Sequence, residues 1–211
     1  DYGAILNHVA EGVDNSVRWE IDHMSDIGMT GPGQVFVHAT DGSTAQFAQM
    51  AADGTYLVWS PRSNLDLYFE TTTADVARRL GVTVALGPDW TWSGSANPYR
   101  ELSCARDYLV SRDAEITDVE LWEMATSEAA RVVGLDGVLG TLTEGTKADL
   151  AVFRWNALPY RAVIRADASD VLLTVVDGQA LYGDPDMVSL LAEYPEWCEE
   201  VSPCGGEVRH L

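Results

Sequence analysis

Apolar and polar positions along this chain follow two different patterns. Up to about residue 110, short apolar runs alternate with amphipathic stretches. "AILNHVA" (4–10), "GQVFVHA" (33–39), "TYLVWSP" (55–61) and "VTVALGPD" (82–89) are rich in β-branched and aromatic residues and bounded by polar residues, glycine or proline, so they predict strands. Between them lie "GVDNSVRWEIDHMSDIG" (12–28), "STAQFAQMAADG" (43–54) and "TTTADVARRLG" (71–81), and "NPYRELSCARDYL" (97–109) follows a Gly/Ser-rich loop. These predict helices: Ser43 is an N-cap, and Gly54 and Gly81 stand where helices stop. Strand–helix units repeated with apolar, β-branched strands imply a parallel sheet. Four such units amount to half of a (β/α)8 barrel.

From Thr117 the pattern changes. "TDVE" is a capping box, and "TSEAARVVGL" (126–135) predicts a second short helix ending near Gly134. "GTLTEGTKADLAVF" (140–153) and "DVLLTVVDGQALYG" (170–183) then predict antiparallel strands, with a hairpin turn at Asp177–Gly178. The expected division is an α/β unit over 1–135, part of a small β-sandwich over 136–183, and a loop-rich acidic tail over 184–211.

Composition narrows the choice of partners. There are 13 basic against 33 acidic residues, a formal net charge of −20. Such a field repels nucleic acid and anionic membranes, so a polynucleotide partner is not expected. No apolar run approaches the roughly 20 residues that cross a bilayer, which fits a soluble protein of unassigned compartment. Three cysteines are too few for a disulfide scaffold. Cys104 falls in a helix. Cys198 and Cys204 lie close enough for a small disulfide loop, which would favour export, and three reduced thiols are the other reading.

The candidate chemistry sits at the strand ends. The four predicted strands finish on His8 with Glu11, on His38, on "SPRSN", and on Asp89. In parallel α/β folds the carboxyl ends of the strands converge on one site. Each residue has a simpler reading when taken singly: Asp89 as a cap or turn residue, Glu11 solvated at a helix start, Trp90 and Trp92 packed on neighbouring loops. His23 and His210 are expected at the surface.

The ordered segments "NHVAEG", "VFVHA", "VWSPRSNLDLY", "VALGPDWTWSGSANPYREL", "MATSEAARVVGL" and "GTLTEGTKADLAVF" resemble the C-terminal half of the amidohydrolase superfamily, in its cytosine deaminase and chlorohydrolase-like branch. "WSPRSN" with "DWTWSGSANPYREL" is similar to a subgroup carrying a Trp-Ser-Gly-Ser stretch. The resemblance implies that the four strands are barrel strands five to eight. It implies His8 and Asp89 as ligands of a divalent metal (zinc, with iron or manganese as alternatives) and His38 as the group that polarises the substrate. It also implies Glu11 as proton shuttle and the "PRSN" turn, with Ser63 and Asn64, along the pocket wall; Trp90 is a further candidate for substrate binding. The implied reaction is metal-dependent hydrolysis of a carbon–nitrogen bond in a small molecule, by deamination or by cleavage of an amide or cyclic amide. The chemistry is coherent, since a metal held by imidazole and carboxylate brings the pKa of water toward about 7 and neighbouring carboxylates move the protons.

One departure from the family is large. Strand one should carry a His-x-His pair, and the four histidines present include none. Catalytic zinc usually takes three protein ligands plus water. The expectation is therefore a partner that supplies the first barrel half and its His-x-His pair, from a cleaved precursor or as a separate chain, with a homo-oligomer of the assembled pair compatible with this. The alternative is a non-catalytic structural or binding subunit with a disused metal site. A phosphate-binding barrel isomerase is disfavoured, because "SPRSN" stands where a glycine-rich phosphate loop would follow strand seven.

Overall fold

The computed structural model describes residues 3–211, apart from the side chains of Asn15 and Cys204. Strands β1 (Ile5–Val9), β2 (Gln34–His38), β3 (Tyr56–Trp59) and β4 (Val84–Leu86) form a parallel sheet in chain order. The connections are α1 (Asn15–Asp26), α2 (Thr44–Asp53), α3 (Pro61–Tyr68) with α4 (Ala74–Arg79), and, after β4, α5 (Pro98–Ser111). Val9 pairs with His38 and Trp59 with Leu86, so the carboxyl ends of the strands finish level with one another.

Alternation along the strands separates two apolar faces. Phe36, Leu57, Trp59 and Val84 pack against Phe47 and Met50 of α2 and Leu102 and Leu109 of α5, all of them buried. On the other face Val35 and Ala85 meet Val132 of α7 (Ser127–Val132), which follows α6 (Asp118–Met124). The outer edge at β1 is open, with Ile5 and Leu6 each nearly half exposed.

The predicted caps are present. Ser43 and Gln46 form a reciprocal capping box on α2, which stops at Gly54 in the left-handed conformation (φ 79°). Thr117 and Glu120 do the same for α6. The "PRSN" segment, expected as a turn, opens a helix instead. Pro61 stands at its first position, where its missing N–H costs nothing and its fixed φ already suits the helix. The Arg62 N–H is taken up by Glu101 Oε1 at 2.9 Å, and Phe69 ends the helix in a left-handed conformation (φ 60°).

Strand β5 (Leu150–Phe153) and the short helix α8 (Pro159–Ile164) precede β6 (Val171–Val176) and β7 (Gln179–Gly183). The hairpin turn falls at Asp177–Gly178, both at positive φ (50° and 84°), with Val176 opposite Gln179. The last segment, expected to be loop-rich, also carries short regular elements. It holds α9 (Pro185–Leu191), β8 (Glu200–Val201) and β9 (Arg209–His210), and β9 pairs with β7, so the antiparallel sheet runs β5-β6-β7-β9-β8. Strands of two residues carry no periodic signal. Their anchor is the buried Arg209 guanidinium, which donates to the carbonyls of Val171 and Ser169. His210, expected at the surface, is half-buried there. The Cys198–Cys204 pairing lies outside the described residues, because the Cys204 side chain does. Cys104 is half-buried in α5, and burial pushes its thiol up to about 11. Among the described residues no helix is long and apolar enough to cross a membrane.

Candidate active site

The level strand ends bring His8, His38 and Asp89 together. One ligand atom from each lies within 4.8 Å of the others, and the two imidazole rings are 5.1 Å apart between centroids. Glu11 reaches the same place, with Oε2 3.6 Å from His38 Nε2. All four residues singled out at the strand ends therefore converge. His8 and Asp89 are exposed, while His38 is fully buried.

Local backbone geometry delivers them. Ala10, His38, Ala39 and Asp89 have φ of 50°, 73°, 45° and 60°. Left-handed conformations cost a non-glycine residue of order 1 kcal/mol each. They cluster here because the chain turns sharply off the ends of β1, β2 and β4. Neighbours hold the turns in place: Glu20 accepts the Ala10 N–H at 2.7 Å, and the Thr72 hydroxyl donates to the His38 carbonyl.

Burial dominates the electrostatics of His38 and pushes its pKa below the ordinary histidine value, against the opposing pull of Glu11 and Asp89 and with a further lowering by His8. Burial thus favours the neutral ring. Its Nε2 is shut off from solvent and has no hydrogen-bond partner among the described residues. A buried polar atom left open toward a cluster of potential ligands marks where another group belongs.

Helix α3 lies behind this arrangement. Asn64 Nδ2 is 3.0 Å from His38 Nδ1, and the Tyr68 hydroxyl donates to Glu11 Oε1 at 3.2 Å. Ser63 and Asn64, expected along the pocket wall, are both fully buried. Asn64 is taken up by His38 and Thr71, and Ser63 Oγ by Ser93 Oγ at 2.9 Å. Trp90 is 61% exposed, and its indole N–H donates to Ser93 Oγ at 2.8 Å. Arg62 Nε likewise donates to Ser95 Oγ at 2.9 Å. The serines of the "WSGS" stretch therefore lash the loop after β4, which carries Asp89, onto α3. The two motifs that stood out in the sequence hold one another. The spacing of serines in "WSGS" was the available signal, but its partners are about 30 residues away and only the fold reveals them. Tyr68 and Thr71 lie within quoted segments, but nothing in the sequence singles them out.

The sequence model of the amidohydrolase family matches residues 20–182. Among curated relatives, the 5-methylthioadenosine/S-adenosylhomocysteine deaminase of Symbiobacterium thermophilum is 32% identical over 192 residues, covering 84% of this chain and 44% of the relative. The enzyme of the same name from Teredinibacter turnerae is 31% identical over 166 residues, 75% of this chain and 38% of its own. Among solved structures, a zinc-bound adenosine deaminase from Xanthomonas campestris superposes with a TM-score of 0.75 at 22% identity, over 84% of this chain and 45% of the other. A zinc complex of atrazine chlorohydrolase from Arthrobacter aurescens gives 0.67 at 22%, over 81% and 42%. The chain thus spans less than half the length of these relatives. With its strand-end histidines and aspartate drawn into one cluster and the family pattern running through most of its length, this chain belongs to the amidohydrolase family.

Proposed function

We propose that this chain is the C-terminal barrel half, strands five to eight, of a metal-dependent hydrolase that removes an amino group from a small nitrogen heterocycle. The convergence of His8, Glu11, His38 and Asp89 within one cluster carries the reading. The named activities of the deaminase relatives favour deamination over cleavage of an amide.

The donor set fits a divalent metal. An exposed imidazole and an exposed carboxylate, close to each other, suit zinc, with iron or manganese also accommodated. His8 and Asp89 would hold it, and when bound it would supply the Lewis acidity that makes water a nucleophile near neutral pH. This chain's own groups do the rest. The Asp89 carboxylate accepts the proton of the attacking water. Neutral His38 presents Nε2 to the substrate atom on which negative charge develops. Glu11, 3.6 Å from that nitrogen, carries a proton to the departing amine.

Two metal ligands from this chain are fewer than the usual three, and the parallel sheet has an open, partly apolar edge at β1. An exposed strand edge of this kind is normally paired or covered. In this proposal the remaining barrel strands and two further ligands come from residues beyond this sequence, on the same polypeptide or a partner chain. The test is the assembled protein, assayed for metal content and for ammonia release from amino-substituted purines, pyrimidines and triazines. One metal per assembly and release of ammonia are expected. Glu11→Gln should lower kcat by roughly 100-fold or more while metal stays bound. Metal-replete assembly that releases no ammonia from any of these rings would overturn the deaminase reading.

A further inference from the structure

His38 is the residue whose role depends most on where one proton sits. The ring has two nitrogens, and the proton on a neutral imidazole is set by the hydrogen bond made at the other nitrogen. Asn64 faces Nδ1 at 3.0 Å. Which end of that amide points at the ring follows from its second neighbour. The Trp59 indole can only donate, and it donates to Thr71 Oγ1 at 2.7 Å. The Thr71 hydroxyl hydrogen then goes to Asn64 Oδ1 at 3.0 Å. If the amide were reversed, that hydrogen would lack an acceptor at a site only 4% exposed, an unfavourable arrangement. Asn64 therefore donates to Nδ1, and the imidazole proton resides on Nε2.

The same helix holds Glu11. Tyr68 lies four residues after Asn64, one turn on and on the same helix face. Its hydroxyl donates to Glu11 Oε1, leaving Oε2 turned to His38.

We propose that α3 positions the reacting pair: Asn64, backed by Thr71 and Trp59, fixes His38 as the Nε2–H tautomer, and Tyr68 aims Glu11 at that N–H. One consequence is sharp. Although His38 lies within 4.8 Å of His8 and Asp89, an Nε2 that carries a proton offers no lone pair to a metal, so His38 is a hydrogen-bond donor in the cluster and not a ligand. Asn64 and Tyr68 are positioning residues. Their catalytic meaning rests on the function proposed above; the tautomer does not.

The experiment is 15N NMR of the assembled protein labelled at histidine, with His38 assigned by difference against His38→Asn. In the unsubstituted protein, a protonated Nε2 and an unprotonated Nδ1 are expected, and the reverse would overturn the proposal without any variant having to fold. In Asn64→Asp the carboxylate accepts from the ring, so the proton should move to Nδ1; an unchanged spectrum in the folded variant would also overturn it. Activity adds a separate readout. Asn64→Asp and Tyr68→Phe should each lower kcat by about 10- to 100-fold with KM little changed, and only Asn64→Asp should move the proton from one His38 nitrogen to the other. A Tyr68→Phe enzyme with unchanged kcat would remove Tyr68 from the proposal. If the expected tautomer appears in a protein that releases no ammonia, the positioning stands and the reaction assigned above fails.

Discussion

Asp89 and Gly94 show how much of the site hangs on one short turn. Asp89 sits at φ 60°, a conformation that aspartate and asparagine tolerate better than most residues. Asp89→Asn should therefore fold normally, with a melting temperature close to that of the unsubstituted protein, and should lose metal on dialysis together with turnover. Metal analysis and calorimetry check the two halves of that expectation. Gly94 is constrained differently. A Cβ there would lie 1.8 Å from the Pro88 carbonyl oxygen, which is backbone and cannot swing away. Gly94→Ala must open the loop that carries Asp89 and Ser93. A displacement of about 1 Å at a reacting group is worth roughly 100-fold in rate, so kcat/KM should fall by about that factor in a variant that still shows a native circular dichroism spectrum. None of this was visible from "WSGS" as a string. The string shows a glycine between serines, and only the fold shows which carbonyl it faces.

At the scale of elements, the helix ends were the most legible part of the sequence. Ser43 with Gln46 and Thr117 with Glu120 satisfy their first-turn N–H groups locally, so three or four residues contain the whole interaction. Ser43→Ala should cost about 1 kcal/mol in urea denaturation. The contacts between helices were not legible. Asp118 joins three elements, accepting from Arg106 of α5 at 3.0 Å and from Arg161 of α8. Burial pushes its carboxyl upward, but the two guanidiniums outweigh that and hold it below the usual aspartate range. A carboxylate with a folded-state pKa below its unfolded value stabilises above about pH 4, and that stability is lost as pH falls through the folded value. Asp118→Asn should thus cost roughly 1 kcal/mol at pH 7, the pair being partly screened by solvent. The difference from the unsubstituted protein should fade below about pH 4, as denaturation curves at several pH values would show. Helix α3 is the opposite case to the caps. "PRSN" contains residues common in turns, and proline is compatible with either a turn or a helix start. Tertiary bonds from Glu101 and Ser93 decide in favour of the helix.

Over the whole molecule, an apolar parallel sheet with an exposed edge strand at β1 is the dominant feature. Ile5 and Leu6 at that edge are 45% and 49% exposed. Unpaired strand edges with apolar side chains recruit other chains. The 211-residue chain produced alone should bind a hydrophobic dye such as ANS and self-associate. Co-expression with the N-terminal half of a family barrel should suppress both, as read by light scattering. A monomeric, dye-silent chain would count against the open-barrel reading.

The sequence by itself determined the order of the first four strands and of helices α1, α2 and α4–α7, the parallel packing of those strands, the family and the identity of the strand-end residues. These follow from local periodicity, caps and short motifs, which need only a few neighbouring residues. Tertiary structure decided the rest. It drew His8, His38 and Asp89 into one cluster with Glu11 beside His38, turned "PRSN" into a helix, and drew the last strands into the antiparallel sheet. Each of those outcomes depends on hydrogen bonds between residues some 25 or more positions apart. No local pattern encodes such pairs. They exist because strands of matched register end at the same height and bring distant side chains to one rim.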